Sequence, residues 1–96
     1  MKTIDDLKKE ILLAHWIDMR FHLERGNLFL ISNTLDLSKI GFALASDHVS
    51  EVETWIKNGA IVRLEDTNQF DKEEPFAILI VQPFILAQKI NNIGTH

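Results

Sequence analysis

The stretch Leu35–Leu64 reads LDLSKIGFALASDHVSEVETWIKNGAIVRL: two short amphipathic helices, a tight joint, then a strand. Leu37, Ile40, Gly41 and Leu44 recur at i, i+3, i+4 and i+7, the spacing of one buried stripe. Asp36 stands before them as the N-cap. Val49, Val52, Trp55 and Ile56 make the second stripe, with Ser46 or Asp47 as its cap and Trp55 expected to be mostly covered. Gly59 follows as the left-handed residue that ends this helix and releases Ala60–Leu64 as a strand. Helix, three- to four-residue joint, helix and strand make the core of a helix-turn-helix or winged-helix domain.

Thr3 caps an N-terminal helix with the stripe Ile4, Leu7, Ile11 and Ala14, widened by Leu12 and Leu13. Asp18 opens a second helical stretch that runs through Glu24 and stops at Gly26. NLFLIS is apolar without alternation, as in a strand covered on both faces. Asp66–Pro75 is a polar loop with Phe70 as its anchor. FAILIVQ is the most apolar strand, and Pro83 ends its regular pairing. Leu86, Ile90 and Ile93, spaced by four and three, mark a tail that either forms a short amphipathic helix or frays. The element order predicts an α+β, winged-helix-like domain: three or four helices with a three-stranded antiparallel sheet and FAILIVQ at its centre. Another small α+β strand order stays open. One domain covers residues 1–96, with its core over about 3–88 and a tail over 89–96.

At 96 residues, 46% hydrophobic and 25% charged, the chain is an ordinary globular domain. It has no cysteine, which rules out thiolate metal sites and cysteine nucleophiles and fits a reducing cytoplasm. MKTIDDLKKE lacks the apolar core of a signal peptide. Pro75–Ala87 is too short to span a bilayer, and Gln82 and Pro83 interrupt it. A soluble cytoplasmic protein is expected. Residues 1–45 balance six Lys/Arg with six Asp/Glu, while 46–96 hold four against eight, so the net charge of −4 lies in the second half.

Several motifs together carry a resemblance. His22-x-x-Arg25-Gly26-x-Leu28 precedes the first apolar strand, and Leu35-Asp36-Leu37 with Gly41, Ala43, Ala45 and Asp47 covers the first central helix. Val52-x-x-Trp55-x-x-x-Gly59 follows, and Val81-Gln82-Pro83-Phe84-Ile85-Leu86-x-Gln88 closes the pattern. From about Trp16 to Gln88 the chain resembles the bacterial DUF2288 family of uncharacterised proteins. The resemblance implies a small bacterial cytoplasmic protein and carries no activity or functional residue to transfer. Family members have a longer segment between the second and third strands, often with another Trp; here Phe70 stands in a shorter loop.

The helix pair invites a DNA-binding reading, and the charges argue against it. A recognition helix and wing need Lys and Arg, because phosphate contacts supply essentially all non-specific affinity. His48–Asn58 instead offers Glu51 and Glu53 against Lys57, and Asp66–Pro75 offers Asp66, Asp71, Glu73 and Glu74 against Lys72. An atypical nucleic-acid-binding regulator would need Lys8, Lys9, Arg20, Arg25 and Lys39 to converge beside the helix pair. His15, Asp18 and His22 would share a face on an unbroken helix and could hold zinc. Asp18 as a cap would break that helix. His22 with Asp36 or Asp47, and Ser46 or Ser50, have no nucleophile elbow or phosphate loop around them. Capping explains Asp36, Ser46 and Asp47, and His22 with Arg25 holds the turn into the first strand. Gln82 fixes a strand end or faces a partner chain. The expectation is no enzyme and no cofactor. It is a protein-interaction module that forms a homodimer through Leu86, Ile90 and Ile93, with any other protein partner left open.

Overall fold

The computed structural model describes residues 2–66 and 70–90. The first helix, α1 (Ile4–Lys9), opens with the expected cap. The Thr3 hydroxyl accepts from the Asp6 N–H, and the Asp6 carboxylate accepts from the Thr3 N–H, closing a capping box. It ends much earlier than its stripe suggests. Leu12–His15 form a strand, β1, and α2 (Trp16–Met19) with a 3₁₀ segment (Arg20–Arg25) follows. Gly26, at φ 69°, stops that segment in the left-handed region, as expected of it. Next come β2 (Leu28–Ile31), α3 (Leu37–Ala45), α4 (Val49–Lys57), β3 (Ile61–Arg63), β4 (Pro75–Val81) and β5 (Phe84–Lys89).

The winged-helix expectation is overturned. Among the described residues the strands form one five-stranded mixed sheet in the order β1-β4-β5-β2-β3. All neighbours are antiparallel except β2 and β5, which run parallel with Leu28 opposite Ile85. β3 pairs with β2 and not with β4, so Asp66–Pro75 is no wing. FAILIVQ is interior as β4, but β5 holds the centre. The tail helix expected from Leu86 and Ile90 is absent from the described residues. Phe84–Lys89 returns along β4 instead, through a two-residue turn at Gln82–Pro83 whose peptide bond is cis. The reason is visible in FILA: four apolar residues in a row serve a strand covered on both faces, and a helix would turn two of them outward.

The sheet carries a separate apolar layer on each face. On one, Leu7, Leu37, Ile40, Leu79 and Leu86 pack under α1, α3 and α4. On the other, Trp16, Met19, Leu23, Leu28, Phe76 and Ile85 pack under α2, the 3₁₀ segment and the connection from β3 to β4. Phe70 in that connection meets Trp16 edge-on at 5.1 Å between ring centres. α3 lies close to the sheet, because a Cβ on Gly41 would come within 2.6 Å of Leu79 Cδ2.

Asp36 begins α3 by accepting from the Ser38 N–H at 3.0 Å and the Ser38 hydroxyl at 2.6 Å. The hydroxyl bond, chiefly, holds its carboxyl below the ordinary value. A depressed folded pKa contributes stability above the unfolded value of about 3.9, lost as pH falls through the folded value. Asp36→Ala is expected to cost about 1 kcal/mol at neutral pH. Asp36→Asn keeps a cap that cannot titrate, so its loss of urea midpoint between pH 7 and pH 3 should be smaller than wild type.

Candidate interaction site

The residues singled out in sequence do not meet at one place. His22, half-buried, and Arg25, exposed, belong to the 3₁₀ segment under one face of the sheet. Asp36, Asp47 and Trp55 belong to the helices on the other face. His22 therefore has no acid–base partner in Asp36 or Asp47. Asp47 does not cap α4. It occupies the joint at φ 57°, a conformation that Asp tolerates, and His48 is the N-cap, with no side-chain bond. Trp55 is mostly covered, as expected, and packs against the apolar layer. Gln82 is exposed in the β4–β5 turn. Leu86 is buried in β5 and cannot belong to a docking stripe; Ile90 is half-buried, and Ile93 lies outside the described residues.

The His15, Asp18 and His22 triplet loses its common helix face, because His15 ends β1 and the other two follow in α2 and the 3₁₀ segment. The Asp18 carboxylate accepts from the His15 backbone N–H at 3.2 Å, which is a cap's role. Among the described residues no group of three His, Asp or Glu side chains is placed to hold a metal ion. The basic residues also divide. Lys8, Lys9 and Lys39 lie on α1 and α3, and Arg20 and Arg25 on the 3₁₀ segment across the sheet. No helix among the described residues is long and apolar enough to cross a membrane.

What the structure does assemble is an apolar surface along α4. Its spacing marks Val49, Val52, Trp55 and Ile56 as one stripe, yet none of its residues is fully buried. Val49 is 58% and Ile56 52% exposed. Beside them a groove of about 160 Å³ runs between α3, α4 and β5, with Leu44, Val52 and Phe84 among its lining and Asp47, His48 and Glu53 at its rim. It continues into a smaller apolar hollow over Phe29, Ile61 and Leu86. Phe84 is held there by an edge-on contact with Phe29 at 5.7 Å. Sequence reasoning placed the α4 stripe correctly and missed Phe84, which it named only within the family pattern. The signal was the unbroken apolar run FILA after Pro83, because a strand there puts Phe84 and Leu86 on one face.

A comparison with curated proteins finds no match. Among solved structures, the NMR solution structure of PA1075 from Pseudomonas aeruginosa superposes with a TM-score of 0.82. It is 22% identical, and the match covers 100% of this chain and 93% of that one, a likeness of fold. The family model for a protein of unknown function, DUF2288, matches residues 2–89, and the chain belongs to that family.

Proposed function

We propose that this domain is a protein-interaction module and that the stripe on α4, with Phe84, is its binding face. The observation that carries this reading is an amphipathic helix with no fully buried residue, flanking an apolar groove. Water-facing Val49 and Ile56 cost free energy that a partner would recover, roughly 25 cal/mol for each Å² of apolar surface covered. Charge complementarity selects the partner. Asp47, Glu51 and Glu53 surround the stripe against one Lys57, so the fitting segment is apolar with Lys or Arg at its flanks. A cytoplasmic setting belongs to this reading and is supported by a sequence without cysteine.

The test places a photo-crosslinking side chain at Val49 or Ile56 in cells, with Lys9 on α1 as the control position. Adducts are expected from the α4 positions alone, and the crosslinked peptide should be apolar with basic flanks. With that peptide in hand, Ile56→Asp should weaken binding at least ~10-fold, and Glu53→Lys should weaken it with a reduced salt dependence. Adducts that form equally from Lys9, or a peptide of acidic composition, would overturn the assignment.

A further inference from the structure

We infer that two copies of this chain join their sheets edge to edge through β1, antiparallel, about a two-fold axis at Leu13. Among the described residues β1 is an edge of the sheet and pairs only with β4. Its hydrogen-bond parity follows from one distance: the Trp16 N–H donates to the Glu74 carbonyl at 2.9 Å. In an antiparallel ladder bonded and non-bonded pairs alternate. With Leu12 opposite Ile78 and Ala14 opposite Phe76, those two residues bond inward. Leu13 and His15 therefore turn their N–H and C=O groups away from β4.

The outward edge is half closed already. The His15 N–H is occupied by the Asp18 carboxylate. The His15 carbonyl begins the hydrogen-bond ladder of α2, so among the described residues the groups left on it are the N–H and C=O of Leu13. That asymmetry selects the register. Centred on Leu13, two antiparallel copies exchange Leu13 N–H to Leu13 C=O bonds in both directions. Centred on Ala14, they would set the occupied His15 N–H against the Leu13 carbonyl and lose a bond at each half.

The side chains suit the same register. Leu13 is 79% and Leu12 56% exposed, and they stand on opposite faces of the sheet. Pairing at Leu13 sets Leu13 beside its own copy on the helical face and Leu12 beside Ala14 on the other. Ile80, also exposed, neighbours Leu12 diagonally across β4 on that second face. An exposed aliphatic edge with unpaired backbone groups is a template for strand addition, and natural edges are ordinarily guarded by Lys or Pro. β1, LLAH, has neither. Its charges sit at its two ends: before it Lys8 and Lys9 close α1 and Glu10 is paired with Lys2, which leaves that end basic, and Asp18 follows it. Antiparallel copies bring the basic end of one to the acidic end of the other, offsetting the repulsion between two chains of net charge −4.

This inference is independent of the α4 face, which packs beside β3 at the opposite edge of the sheet. Sedimentation of the full chain tests it. With so short a strand, the wild type should pass from monomer to dimer at about 10–100 µM. Leu13→Asp alters an exposed side chain, so it should keep the far-UV circular dichroism of wild type and raise the dissociation constant at least ~30-fold. Ile56→Asp should leave the association unchanged. Hydrogen exchange on the wild type gives a readout without substitution: the Leu13 amide should gain protection as concentration rises through the transition. A wild type that stays monomeric at ~500 µM overturns the inference. So does a dimer that Leu13→Asp leaves intact, or a Leu13 amide whose exchange ignores concentration.

Discussion

Trp16→Ala is expected to remove most of the domain's stability. The indole is 1% exposed at the centre of the layer beneath α2, where it meets Phe70 and Phe76 at 5.1 and 6.0 Å. A Trp or Phe truncated to Ala in a close-packed core costs about 3–5 kcal/mol, partly as lost transfer energy and partly as the cavity left behind. Set against about 5–15 kcal/mol for a typical domain, that is a large fraction of the total. The effect should also spread along the chain. Phe70 contacts both Trp16 and Phe76, and Lys89 Nζ rests 5.3 Å above the Phe70 ring. Urea melts followed by circular dichroism measure the loss. Trp55 lies in the layer on the opposite face and reports separately by fluorescence. A midpoint unchanged from wild type would mean that this face is not a core.

Leu86→Ala should cost about 2–5 kcal/mol in the same melts. Leu86 stands on the central strand, opposite Leu79 on one side and Phe29 on the other, with the helices above it. Its sequence spacing with Ile90 and Ile93 suggested a side chain free to dock on a second copy, and that reading makes the opposite prediction. On a docking stripe the substitution would weaken association and leave the monomer's stability nearly unchanged. In the sheet centre it lowers stability at every concentration. Melts at two protein concentrations, both below the β1 transition, tell these apart, because a monomer's midpoint does not move with dilution.

The interaction face shows how far spacing reaches. Val49, Val52, Trp55 and Ile56 are legible as a stripe, since the 3.6-residue period alone aligns them. Whether the stripe is covered is not legible. A buried stripe and a bare one have the same period, and the difference lies in how much of the rest of the chain reaches it. Here α4 rests against α3 and the short β3 and leaves Val49 and Ile56 to solvent. The β1 edge was less legible still. Ile11 and Ala14 continue the α1 stripe and Leu12 and Leu13 widen it, and only pairing with β4 makes a strand of Leu12–His15.

The sequence by itself determined what is settled within a turn or two of chain. The Thr3 box, the Asp36 cap and the stops at Gly26 and Gly59 each depend on the residue's own backbone freedom or on partners two or three positions away. The two-sided burial of β2 follows as directly from an unbroken apolar run. Tertiary structure decided which strand lies beside which. The parallel pairing of β2 with β5 is held at its margins by side-chain amides from far along the chain. Asn27 donates to the Pro83 carbonyl, Asn33 to that of Lys89, and Gln88 to those of Ser32 and Leu35. Backbone donors and acceptors are the same on every strand, so an apolar run specifies that it must be covered and not by what. Only the competition among all five strands for both faces of one sheet put β5 in the middle and left β1 at an edge.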